Sequence, residues 1–194
     1  MLPVIEPVLP KLVKDVPRGR EWVYEVKLDG FRGTLYVDAG RAHFLSKTKK
    51  RMKRFEELAN AIARELPVEN VILDGEIVVM EEGRPQFYPL MMNRAPASYV
   101  AFDLLWLNGR DLRELPHWRR KRALEKLVSG THVGHVEHTD DPRLMDAVAR
   151  MDLEGVVAKR RAEAYSPTAA WLKVKHAQYS QKEGRGELFH RRRA

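Results

Sequence analysis

Short apolar, β-rich runs follow one another along most of this chain, and helical periodicity appears only between them. Runs at 22–28, 33–37 and 41–45 open the series, the last two separated by an Asp38-Ala39-Gly40 turn. Over 50–66 the apolar residues Met52, Phe55, Leu58, Ala59 and Ile62 recur at threes and fours, which predicts an amphipathic helix ended by Pro67. Strands are expected at 71–80 and 99–107, the second closing on an Asn108-Gly109 turn. Further along, 118–127 reads as a basic helix, 132–138 as a strand, and Asp141-Pro142 as the start of a helix to about Met151. Final strands fit 155–160 and 170–176. Strand runs with interspersed helices, rather than strict alternation, predict an α+β fold with largely antiparallel sheets flanked by helices. Pro3, Pro7, Pro10 and Pro17 make 1–19 an extended lead-in, and 20–176 is expected to form one domain. The polar, glycine-containing stretch 177–194 reads as a basic tail.

The 194 residues contain no cysteine, which excludes disulfides and thiolate metal sites and fits a reducing, cytoplasmic setting. The N-terminus lacks the basic flank and apolar core of a signal peptide, and no stretch approaches the ~20 apolar residues of a membrane helix. A soluble protein with no membrane partner is expected. The net charge of +8 points instead to a polyanion, and two clusters sharpen it: the tract from Lys47 to Arg54, and His190-Arg191-Arg192-Arg193 at the end. There is no glycine-rich loop of the Walker type. His132, His135 and His138 are spaced by three, but on the strand expected there they do not all face one way, so a metal site is not expected from them.

The run Glu25-Val-Lys27-Leu-Asp29-Gly30-Phe31-Arg32 places Lys27 two residues before an Asp-Gly turn, at the end of a β-rich segment. There its amine can be partly desolvated and held facing a pocket, as a nucleophile requires. The stretch resembles the Lys-x-Asp-Gly motif of covalent nucleotidyltransferases. Leu73-Asp-Gly-Glu76, Tyr99-Val-Ala-Phe102, Glu154-Gly-Val-Val-Ala-Lys159-Arg and Trp171-Leu-Lys173-Val-Lys175 follow in the order those enzymes use. Together they resemble ATP-dependent polynucleotide ligases, above all the ligase domain of bacterial ligase D, over residues 3–176. The resemblance implies a nucleotidyltransferase (adenylation) domain of the DNA ligase and mRNA capping enzyme type. It implies ATP and magnesium (Mg2+) or manganese (Mn2+) as cofactors, and an enzyme that seals nicked or broken DNA in repair.

By the same resemblance Lys27 forms a lysyl-AMP intermediate. Glu25 selects adenine, Arg32 lies on the sugar–phosphate side, Glu76 lies near the ribose hydroxyls and a metal, and Phe102 stacks on the base. Glu154 binds metal, and Lys173 and Lys175 hold the α-phosphate. Two cations near Lys27 would disfavour its charged form. The family's next motif, Ser-Arg-Asn-Gly, reads Ser46-Lys47-Thr48-Lys49 here, so Lys47 would meet the sugar as a point charge rather than a bidentate fork. The 18 residues after His176 are too few for the OB-fold domain that usually follows, so the expectation is that this domain is supplied in trans, with end-joining proteins as partners, or that the enzyme works minimally, or that self-adenylation is impaired. RNA stays open as a substrate. The alternatives are an RNA ligase, or a catalytically weak nucleotide- or DNA-binding module of an end-joining system.

Overall fold

A computed structural model describes residues 2–182. In chain order the strands are β1 (Lys11–Leu12), β2 (Trp22–Val26), β3 (Phe31–Asp38), β4 (Arg41–Ser46), β5 (Asn70–Val78), β6 (Met80–Glu81), β7 (Arg84–Pro85), β8 (Ser98–Leu107), β9 (Arg110–Asp111), β10 (Gly134–His135), β11 (His138–Thr139), β12 (Gly155–Arg160) and β13 (Leu172–Lys175). The α-helices are α1 (Glu56–Glu65), α2 (Phe87–Met92), α3 (His117–Val128) and α4 (Leu144–Arg150).

The strands form two main sheets. One runs β1-β13-β12-β2-β11, the other β10-β8-β5-β3-β4 with β9 on β8, and β6 and β7 make a separate hairpin. All pairings are antiparallel except the short edge contacts of β1 with β13 and β10 with β8. The α+β architecture with largely antiparallel sheets is therefore the one expected from the sequence.

Side-chain alternation gives the second sheet two buried faces. Leu35, Val37, Leu73, Ala101 and Leu104 pack with α1 residues Ala59 and Ile62 and with Leu124 of α3. On the other face Tyr36, Ile72 and Leu105 meet Trp171, Tyr165, and Ile5 and Val8 of the lead-in. The lead-in is thus core rather than appendage, and Ile5 and Val8 donate their amides to the hydroxyls of Tyr36 (2.9 Å) and Tyr165 (3.2 Å). Val148 and Leu153 cover the outer face of the first sheet against Trp22, Tyr24 and Val156.

Three local expectations need correction. The helix expected over 50–66 begins only with a 3-10 turn at Lys53–Phe55, because Arg51 bridges back to Leu45 and the Met52 amide is held by the Phe44 carbonyl at 3.0 Å. The strand expected at 132–138 is two separate bridges, β10 on one sheet and β11 on the other. Helix α2 lies in a stretch for which the sequence gives no expectation. Pro89 sits in the first turn, where a missing N–H costs no helical bond, and Asn93 closes the helix in the left-handed region (φ 57°). Finally, the stretch read as a tail starts by docking on the domain, with Tyr179 buried. Its remainder, 183–194, including the terminal arginine cluster, lies outside the described residues.

Candidate active site

The edges of the two sheets enclose a cavity of about 670 Å³. Lys27, Glu25, Arg32, Lys47, Glu76, Phe102, Glu154 and Lys173 all line it. Lys175 does not, but its ammonium stands 3.5 Å from Glu154 on the same strand face as Lys173.

Lys27 follows β2 directly, and its amide donates to the Gly155 carbonyl at 2.8 Å, tying the β2 end to the start of β12. Its ammonium lies 2.5 Å from Glu154 Oε2, with the lysine side chain only 23% exposed. Two glycines permit this closeness. A Cβ on Gly30 would lie 2.2 Å from the Ile77 carbonyl oxygen, and one on Gly155 would lie 2.1 Å from that of Val174. Each is therefore the residue that lets a neighbouring strand pass beside the functional side chain. Burial, with Lys27 and Lys175 nearby, lowers the pKa of Lys173. Burial pushes Glu76 up to about 8, against the pull of Lys27 and Arg32.

The deep wall is a charge cluster. Glu25 receives Lys121 and Lys159 at 2.6 Å each, and His117 stands 3.5 Å away. Burial alone would raise the Glu25 carboxyl, but Lys121 and Lys159 overcome it and hold the pKa well below the ordinary value. Lys159 lies 4.0 Å from the Trp171 ring centroid and 4.7 Å from that of Phe102, a cation–π cradle, with the two rings edge to face at 5.8 Å. Arg32 is held by Asp74 through Nε (3.0 Å) and Nη2 (2.5 Å), and also by the Val8 carbonyl. Its guanidinium faces Phe102 at 5.3 Å while remaining part of the cavity wall.

The tract from Ser46 to Lys49 is the turn after β4, with Lys49 in the left-handed region (φ 60°) and its amide on the Ser46 carbonyl at 2.8 Å. This turn aims Lys47 at the cavity mouth, while Lys49 pairs with Glu6 and Arg51 with Glu56. His132 pairs with Glu65, and the His138 ring approaches that of His117.

Sequence reasoning missed Lys159, Lys121, His117, Trp171 and Asp74. Period-two alternation on β12 could have found Lys159, because Val157 pairs opposite Glu25 and faces the same cavity. Lys121 and Arg120 fall in the stretch read only as a basic helix. Only their partners Glu25 and Asp103, distant in sequence, turn them inward.

One pH effect follows. Burial lowers the His117 pKa below the ordinary 6.5 against the favourable pull of Glu25, with Lys159, Asp103, Lys121 and His138 also around it. A group with a depressed folded pKa stabilises the fold above its unfolded pKa, and that stability is lost as pH falls through the folded value. The thermal midpoint should therefore fall below pH 6.5, and His117→Gln should flatten that fall. Parallel profiles for the two proteins would show that His117 is not held neutral.

Residues 5–175 match the family model described as the ATP dependent DNA ligase domain. The multifunctional non-homologous end joining protein LigD of Pseudomonas aeruginosa is 36% identical over 185 residues, covering 88% of this chain and 22% of that protein. DNA ligase C1 of Mycolicibacterium smegmatis is 34% identical over 199 residues, covering 90% of this chain and 57% of the enzyme. The crystal structure of the ligase domain from M. tuberculosis LigD superposes with a TM-score of 0.74 at 30% identity, over 88% of this chain and 59% of that one. The chain spans about a fifth of LigD and a little over half of ligase C1. A match that runs through every strand lining the cavity places the chain plainly: it belongs to the ATP-dependent DNA ligase domain family.

Proposed function

We propose that this chain is the catalytic core of an ATP-dependent DNA ligase that forms a lysyl-AMP intermediate on Lys27 and seals nicks or ends in DNA repair. The observation that carries the reading is the convergence of Lys27, Glu154 and Lys173 on one cavity, a nucleophile flanked by a carboxylate and a cation. ATP enters with its adenine toward Phe102, Glu25 and Lys159, and its α-phosphate toward Lys173 and Lys175. The Lys27 lone pair forms a bond to the α-phosphorus, the bond to the bridging oxygen breaks, and pyrophosphate leaves with that electron pair. The Lys27 ammonium must give up one proton to expose that lone pair, and a second leaves the nitrogen once the bond to phosphorus has formed; each passes by way of the Glu154 carboxylate beside it to solvent. The AMP then moves to a 5′-phosphate at the break, where a 3′-hydroxyl displaces it and closes the strand.

Glu76 and Glu154 fit a hard divalent cation, since both offer carboxylate oxygen donors to the same cavity. Magnesium bound there would supply charge neutralisation on the phosphates. The LigD relationship favours DNA and an end-joining setting, with further proteins of that system as partners. Among the described residues no helix is long and apolar enough to cross a membrane.

The test is incubation with α-labelled ATP and magnesium after pyrophosphate has stripped any bound AMP. Label should survive denaturing electrophoresis and base, be lost in mild acid, and appear as a mass gain of one AMP. Protein that takes up no label under these conditions overturns the reading. A pre-adenylated nicked duplex then tests sealing alone, with DNA and RNA strands compared.

A further inference from the structure

The segment after β13 carries no motif that the proposed reaction uses, yet three successive side chains there each fasten to a different segment of the chain around the cavity. The Tyr179 hydroxyl donates to Asp29 Oδ2 at 2.8 Å, with both residues buried. The Ser180 amide donates to Asp152 Oδ1 at 3.0 Å, and its hydroxyl donates to Oδ2 of the same carboxylate. Gln181 accepts from the Phe87 amide at 2.8 Å and donates to the Pro85 carbonyl at 3.0 Å. Just before them, the His176 amide donates to the Glu154 carbonyl at 2.9 Å.

The anchor points are not arbitrary. Asp29 lies two residues after Lys27, Asp152 two residues before Glu154, and Phe87 lines the cavity. We infer that Tyr179, Ser180 and Gln181 form a positioning clamp that fixes the Lys27 turn, the Glu154 strand start and the Phe87 wall relative to one another. A buried hydrogen bond to a carboxylate is directional and among the stronger ones, so Asp29 transmits the clamp to the Lys27 turn, while the two exposed bonds to Asp152 tether the segment just before Glu154. Small displacements of an attacking atom cost rate steeply, which is why a clamp at this distance can act on the chemistry. Tyr179 is not among the residues that line the cavity, so it acts through Asp29.

The inference rests on the proposed Lys27 chemistry, and two readouts keep the two separable. In the first, single-turnover adduct formation from labelled ATP is compared between the wild type and Tyr179→Phe, which removes one oxygen and keeps the ring packed. The rate constant at saturating ATP should fall about tenfold, with half-saturation by ATP changed less than about twofold. A merely structural role would lower the active fraction, hence the amplitude, and leave the rate constant unchanged. In the second, backbone hydrogen exchange is measured without ATP. The Tyr179→Phe/Ser180→Ala/Gln181→Ala variant should exchange at least about tenfold faster in peptides spanning 27–30 and 152–154. Wild-type protein that takes up no label sinks the ligase reading while exchange still decides the clamp. Unchanged exchange in those peptides, or an unchanged rate constant in a Tyr179→Phe protein that does react, overturns the clamp. If the triple variant fails to fold, Tyr179→Phe is read in both assays.

Discussion

Replacing Lys27 by arginine is expected to lower AMP adduct formation by at least about 10⁴-fold while leaving the protein folded. Arginine keeps a positive charge beside Glu154, whose carboxylate now receives the Lys27 ammonium at 2.5 Å, so the buried acid stays neutralised. What it removes is nucleophilicity, because a guanidinium does not give up its proton in a protein. Alanine at the same position would mix two effects, loss of the nucleophile and a buried carboxylate left with Lys175 at 3.5 Å. The measurement is labelled-adduct yield alongside the thermal midpoint of each variant. Label persisting in Lys27→Arg would move the covalent site elsewhere. Sealing of a pre-adenylated nick should survive the substitution in part, since that step starts after Lys27 has acted.

The largest expected loss of stability lies at Glu25. Its carboxylate is 2% exposed and neutralises Lys121 and Lys159, themselves 4% and 1% exposed. Glu25→Ala leaves two buried ammonium groups without their counter-charge, a change that costs about 3–5 kcal/mol. For a domain of this size that corresponds to roughly a 10 °C drop in thermal midpoint. Replacing all three charges by apolar residues, as Glu25→Leu/Lys121→Met/Lys159→Met, should recover most of the loss, because the penalty belongs to the stranded charges rather than to the missing pair. A drop in Glu25→Ala below about 1 kcal/mol would mean that water reaches the cluster. The result also bears on specificity. A carboxylate that already receives two ammonium groups has limited capacity left for a further donor, so in the proposed function Glu25 would act on the base through the pocket it builds with α3 and β12.

The sequence made the strand ends legible and left the interior less so. Lys27 sits just after one short apolar run, Glu154 just before another and Lys173 within a third, positions visible in one dimension, and the fold brings them together. Arg120 and Lys121 were not legible, because a basic helix looks solvated until its acidic partners on β8 and β2 are known. Helix α2 was hidden by Pro89, whose cost depends on which turn of the helix it occupies. The docking of Tyr179 was hidden for a similar reason, since one aromatic in a polar stretch carries no period.

The short stretch from β10 to β11 has a mechanical meaning. Two residues separate a strand bonded to one sheet from a strand bonded to the other, and Val136 between them is itself fastened to the Ala101 carbonyl at 2.9 Å. Like the spine of a book, this stretch pins the two covers along one side. At the opposite fore-edge β1 and β4 end their sheets, joined near there by the exposed pair of Lys49 and Glu6. The stretch 134–139 therefore holds the two sheets in register on the side where Glu25 stands, since His138 pairs directly opposite Glu25 on β2.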